Sequence, residues 1–424
     1  MTRASEIAAA DDQFVWHPYT QHGLRDTPIE IVSANGADLH TRDGRRIFDA
    51  ISSWWVTLHG HAHPRIASAI AEQAATLEQV IFAGFTHEPA VRLAEDLVEH
   101  APAGLTRVFF SDDGSTAVEV AVKIALQYWR HRGENRKLIA GLENAYHGDT
   151  FGAMSVSARG LFTDPFEGHL FEVARLPDPV DHDVVAALST LIDERGDDLA
   201  AVIVEPMLLG AGGMRMWSAD ALQGIRALTE ARGILLIADE VLTGFGRTGP
   251  LFACQHAHVS PDLMCLSKGL TGGFVPLGAT LATEALFDAF SSADRTKTLF
   301  HGHSFTANPI ACAAARASLA LLDEVGAVPR RRIEEAHCAV KPSLAALSRV
   351  RNVRVLGTVL ALELAADHSG YLSDIGPSLR RFALERNVLL RPLGNTVYVL
   401  PPYCSIESDL AAAYSAIADF AEAR

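Results

Sequence analysis

The feature that most constrains the fold of this sequence is an alternation through its middle. Short apolar runs at 107–110, 138–140, 200–204, 234–238, 263–266 and 277–281 are separated by longer stretches, and those at 117–129 and 219–231 read as helices. A run with no polar side has nothing to show to water, so it needs cover on both faces. Helical segments between the runs supply that cover, and parallel strands require crossovers of this kind. The pattern predicts an α/β fold, with a mostly parallel sheet between two layers of helices.

The two ends read differently. The segment at 330–347 is rich in Arg and Glu and reads as a helix. An apolar run at 353–363, a second helix at 378–386 and a strand at 397–400 follow it, which is an α+β pattern. Near the N-terminus, short strand signals flank the turn Arg42-Asp43-Gly44. The chain has 424 residues, and one core stops growing at roughly 250–300. We expect a large domain over 59–328 and a small domain built from 1–58 and 329–424.

Composition narrows the partners. A formal charge of −15 repels phosphate backbones and anionic lipid, which argues against nucleic-acid and membrane-surface roles. A local basic pocket for a small anion stays open. No apolar run approaches the ~18 residues of a membrane span. Residues 1–12 show no apolar core before a cleavage site, so no signal peptide is expected. The five cysteines (254, 265, 312, 338 and 404) are scattered and form no CxxC pair. They read as small buried residues in a reducing, cytoplasmic compartment. His59, His61 and His63 look like a metal cluster, yet no ligand spacing on a defined element supports one, and no metal is expected.

Lysine is scarce. It occurs only at 123, 137, 268, 297 and 341, and the other basic residues are arginine. Four of these lysines lie in polar or helical surroundings. Lys268 instead follows the run Leu263-Met264-Cys265-Leu266 and precedes a glycine-rich turn. A lysine at the end of a buried strand is desolvated, its pKa falls, and its amine becomes nucleophilic, as Schiff-base chemistry requires. The strand at 234–238 ends in Asp239 and Glu240, where ligands bind in open α/β sheets. Asp239 could pair with a protonated pyridine nitrogen or form a structural ion pair with an arginine. Gly114-Ser115 opens a helix after a strand, which suits a phosphate, although Ser and Asp there also serve as ordinary caps. Tyr146, just past the next strand, offers a face for a planar ring. The glycine run 210–213 lacks the dinucleotide fingerprint, and no Gly-Lys dipeptide exists to build a P-loop. A non-catalytic anion- or nucleotide-binding protein is the rival reading.

The stretches Asp239-Glu240-Val241, Gly244-Phe245-Gly246-Arg247-Thr248-Gly249 and Ser267-Lys268-Gly269 resemble the class III pyridoxal-phosphate aminotransferases, and the likeness covers almost the whole chain. It implies fold type I, a pyridoxal 5′-phosphate cofactor, and a homodimer with shared sites. Lys268 would hold the cofactor and shuttle a proton, Asp239 would meet the ring nitrogen, and Gly114 and Ser115 would bind phosphate. Tyr146 would stack on the ring, with His303 beside the cofactor phosphate and Ser304 reaching the phosphate of the neighbouring subunit.

Within the family, Trp16-His17-Pro18-Tyr19-Thr20-Gln21, Ser52-Ser53-Trp54-Trp55 and Arg391-Pro392 resemble the branch that aminates 8-amino-7-oxononanoate from S-adenosylmethionine in biotin synthesis. That likeness puts Tyr19, Trp54, Tyr146, Gly302 and Arg391 in the substrate site, with Arg247 assisting, and leaves Trp55 to core packing. Two departures bear on the substrates. Leu242 replaces a common Gln, which argues against the ornithine and 4-aminobutyrate branches. His301-Gly302-His303-Ser304 replaces a Gly-Pro-Thr, a variation shared with relatives that use lysine as donor. Another ω-aminotransferase or an aminomutase is the remaining alternative within the family.

Overall fold

The computed structural model describes residues 6–366 and 370–423. The start of the segment read above for a leader lies outside them. At the centre is a seven-stranded sheet in the order Leu105–Ser111, Gly278–Thr283, Leu263–Leu266, Leu235–Asp239, Leu199–Val204, Leu138–Leu142, Val173–Leu176. Gly278–Thr283 runs antiparallel to both of its neighbours, and every other pairing is parallel. The inner strands are buried along their whole length, as their unbroken apolar sequences demand.

Register fixes what meets at the carboxyl edge. Val204 pairs with Ala238, and Asp239 with Cys265. Glu205, Asp239 and Lys268 therefore emerge side by side from three adjacent strands. The helix Gly114–His131 crosses behind this edge and buries Ala117, Val118, Ala121, Ala125 and Trp129 against the sheet. Asp113 caps it by accepting from Thr116 N, and Thr280 Oγ1 donates to the Ala117 carbonyl at 2.8 Å, which ties the helix start to the sheet.

The chain ends share one sheet. Val388 and Leu389 run parallel to Arg46–Asp49, beside the antiparallel strands Ile31–Asn35 and Asp38–Thr41. A separate antiparallel sheet joins Val350–Leu356, Val359–Leu364 and Thr396–Val399. The single apolar run expected at 353–363 is thus two strands of a hairpin. Gly357, at φ +55°, makes the turn, where a Cβ would lie 2.3 Å from the Thr248 carbonyl carbon. Among the described residues no helix is long and apolar enough to cross a membrane.

Behind the small sheet, His337 is fully buried. Its Nε2–H donates to the Thr358 carbonyl at 3.1 Å, so the neutral ring accepts the Tyr414 hydroxyl at Nδ1, 2.6 Å away. Burial pushes its pKa down to about 4. The folded value lies below the unfolded one of about 6.5, so this contribution is complete above pH 6.5 and is lost as pH falls toward 4. Stability should decline across that window, and His337→Gln should remove one proton from the slope, about 1.4 kcal/mol per pH unit. Denaturant titrations at several pH values measure it; an unchanged slope would show that His337 does not titrate on unfolding.

Candidate active site

The three strand ends open into a cavity of about 630 Å³ lined by Gly114, Ser115, Tyr146, Asp239 and Lys268 together with Trp55, His147, Asp149, Glu205 and Leu242. Lys268 begins a short 3₁₀ turn, Lys268–Thr271, and takes a left-handed φ of +44°. The turn is pinned by Ser267 Oγ, which donates to the Leu277 carbonyl at 2.8 Å. Lys268 Nζ lies 4.6 Å from the centre of the Trp55 ring. Burial lowers the amine pKa to about 8, although the nearby carboxylates of Asp239 and Glu205 pull the other way.

Asp239 is almost wholly buried. Its Oδ2 accepts from His147 Nδ1 at 2.7 Å, and its Oδ1 from the Val241 backbone N–H at 3.0 Å. Glu205 is buried as well. It accepts from the backbone N–H groups of Tyr146 (2.8 Å) and Gly210 (2.9 Å), and burial raises its pKa to about 7. The Tyr146 loop is therefore held from below by a carboxylate and from the side by Ser115, whose Oγ accepts from Thr150 N at 3.0 Å. Gly148, at φ +133°, lets that loop cross the helix start, because a Cβ there would sit 2.1 Å from Ser115 Oγ.

At the mouth, Tyr19 Oη donates to Asp149 at 2.7 Å and lies 3.3 Å from Tyr146 Oη. Burial pushes the Tyr19 hydroxyl up to about 12. Tyr19 meets Trp54 edge-on at 5.7 Å, and the Arg391 guanidinium stacks over Trp54 at 4.0 Å.

The sequence reading thus has Gly114, Ser115, Tyr146, Asp239 and Lys268 in one cavity, with Tyr19, Trp54 and Arg391 clustered beside its lining residues Tyr146 and Asp149. Arg247 is placed elsewhere. It is 1% exposed and donates to the carbonyls of Trp55, Thr57 and Pro401, off the cavity wall. Gly302, His303 and Ser304 also lie away from this chain's cavity. Their segment is fastened by Gln79 Nε2, which donates to the Ser304 carbonyl at 2.8 Å. Phe300 and Phe305, which flank it, are 73% and 64% exposed. The reading missed His147, Asp149 and Glu205, and it left Trp55 to the core, whereas the ring faces the Lys268 amine.

The cavity fits pyridoxal phosphate. Its volume lies within the range of cofactor sites. Gly114 and Ser115 place backbone N–H groups at the positive end of an 18-residue helix. An aromatic ring, a buried carboxylate and a desolvated amine then converge beyond it.

A sequence profile of the class-III aminotransferases matches residues 19–420. The chain belongs to the class III aminotransferases. It is 53% identical over 414 residues to the adenosylmethionine-8-amino-7-oxononanoate aminotransferase of Synechococcus elongatus, covering 96% of this chain and 97% of that one. The protein of that name from Mycobacterium leprae is 42% identical over 432 residues, covering 98% and 97%. Among solved structures, the adenosylmethionine-8-amino-7-oxononanoate aminotransferase of Methanocaldococcus jannaschii superposes with a TM-score of 0.94 at 32% identity, covering 98% of each chain. An amine transaminase from an uncultivated Pseudomonas species, solved with pyridoxal phosphate as internal aldimine, gives 0.89 at 31% identity, covering 96% and 98%. Like the rest of its family, this class III aminotransferase is a pyridoxal-phosphate enzyme.

Lys268→Ala should lower turnover by roughly three or more orders of magnitude, since no other lysine reaches the cavity to act as nucleophile or base. Circular dichroism and thermal midpoint should stay close to wild type. Near-normal turnover would remove Lys268 from the chemistry.

Proposed function

We propose that this enzyme transfers an amino group from S-adenosylmethionine to 8-amino-7-oxononanoate, giving 7,8-diaminononanoate. It works as a cytoplasmic homodimer in which the segment around Gly302, His303 and Ser304 completes the partner's cavity. The observation that carries this reading is Arg391. It forms no ion pair among the described residues, whereas Arg247 is occupied by backbone carbonyls. A guanidinium held over the Trp54 ring, 4.0 Å from its centre, is a fork for the terminal carboxylate of a long-chain acceptor. Three of the proteins compared above carry the name of this activity.

The chain's own groups divide the work. Lys268, with its amine near 8, is sufficiently neutral near physiological pH to act as a nucleophile, and it takes and returns the proton at the substrate carbon that changes hydrogen count. Asp239 is oriented by His147 and Val241 so that its acceptor capacity faces the cavity. Tyr146, braced by Glu205, closes one face. Bound pyridoxal phosphate supplies the electron sink and carries the amino group between the two halves of the reaction. Tyr19, with Trp54 and Asp149, forms an aromatic and anionic mouth that suits a sulfonium donor.

Mixing the holoenzyme with each donor separately tests the donor. S-adenosylmethionine should bleach the visible band of the lysine-bound cofactor rapidly, and lysine should not; the reverse would move the donor to lysine. Arg391→Ala should raise the apparent KM for the oxononanoate by one to two orders of magnitude, about 1.5–3 kcal/mol for a charged hydrogen bond. The donor half-reaction should change much less. Equal damage to both halves would make Arg391 a shared or structural group.

A further inference from the structure

We propose that Asp49 and His61 are positioning residues for the reaction: a buried carboxylate and a half-buried imidazole that lock the left-handed turn Ser52–Trp55 and so set Trp55 against the Lys268 amine and Trp54 beneath Arg391. The proposal rests on the roles given above to Lys268 and Arg391.

The turn cannot hold itself. Ser52, Ser53 and Trp55 have φ of +52°, +60° and +67°, and Ser53 combines its value with a ψ of −84°. Side-chain-bearing residues avoid this region, and three of them within four positions persist only where surrounding contacts over-determine them. Ser52 is held by its Oγ, which donates to the Leu400 carbonyl at 2.8 Å. The Trp55 carbonyl accepts from Arg247. Ser53, the most distorted of the three, has a single side-chain anchor: its Oγ donates to Asp49 Oδ2 at 2.9 Å.

Asp49 is fully buried. The same Oδ2 accepts from His61 Nε2 at 2.9 Å, while Oδ1 faces the Ile51 N–H at 3.3 Å. His61 is itself fixed. Its backbone exchanges hydrogen bonds with Gly36 in both directions, at 2.6 and 3.2 Å. It follows Gly60, where a Cβ would lie 2.6 Å from Cys404 Sγ. The imidazole therefore holds a rigid donor against the carboxylate, and the carboxylate holds Ser53. The two tryptophans leave this turn in different directions. Trp55 reaches the Lys268 amine (4.6 Å) and Trp54 the Arg391 guanidinium (4.0 Å). Neither Asp49 nor His61 lines the cavity, so both act through the turn.

The test uses holoenzyme carrying His61→Ala, Ser53→Ala, and His61→Gln, whose amide keeps a donor for Asp49. An aromatic face favours the cationic form of the lysine nitrogen, so releasing Trp55 should lower the pH midpoint of the cofactor's visible band by about half a unit in the two alanine variants. Their KM for the oxononanoate should rise roughly five- to tenfold. Near-UV circular dichroism should report the displaced tryptophans, and His61→Gln should restore all three readouts. If the alanine variants merely melt earlier while band midpoint and KM stay at wild-type values, the pair is structural and the proposal fails. The band titration does not depend on substrate identity, so it still decides the matter if the acceptor proves to be another amino ketone.

Discussion

Everything in this site depends on one constraint: a lysine amine and two carboxylates are buried together at the same edge of a parallel sheet. Parallel register makes the coincidence unavoidable. With Val204 opposite Ala238 and Asp239 opposite Cys265, the groups that follow these strands share one small volume. Their charges then have to be managed locally. Asp239 is met by His147 and a backbone N–H, and Glu205 by two backbone N–H groups. Lys268 receives no hydrogen-bonded counter-ion among the described residues; it faces an indole ring. A partly compensated amine is poorer at holding its proton, and this is the condition for it to act as nucleophile and base.

The two ends of the chain supply what the sheet cannot. The strand Arg46–Asp49 pairs with Val388 and Leu389, so the turn carrying Trp54 and Trp55 and the loop carrying Arg391 are built on one framework. Arg247 bridges that framework to the large sheet through carbonyls of Trp55, Thr57 and Pro401. The Trp54–Arg391 cluster and the Lys268 amine thereby rest on different supports that meet at Trp55.

What was legible in the sequence follows from the range of the interactions. Lys268 and Asp239 could be found because each closes an apolar run and lysine is rare. Glu205 obeys the same strand-end rule, and that rule applied to the run at 200–204 would have found it. His147 could not be found, since its partner lies 92 residues away, nor could Asp149, which is 130 residues from Tyr19. Trp55 reads as a core residue because it is one: 4% exposed, yet turned by an unusual backbone toward the amine. Among the strands, Val173–Leu176 escaped notice because it is a sheet edge, half-buried and interrupted by Arg175. The hairpin at 350–364 was read as one run because Gly357, the only turn signal, carries no partner residue of the usual turn pairs.

The central claim is that burial, with a smaller push from the Arg247 charge, lowers the Lys268 pKa. The most direct measurement is the pH dependence of pyridoxal-phosphate capture by the cofactor-free protein, followed by the appearance of its visible band. A midpoint near 8 is the result this account requires; a midpoint near the ordinary lysine value of 10.5 would show that the amine is not desolvated, and would contradict the account at its base.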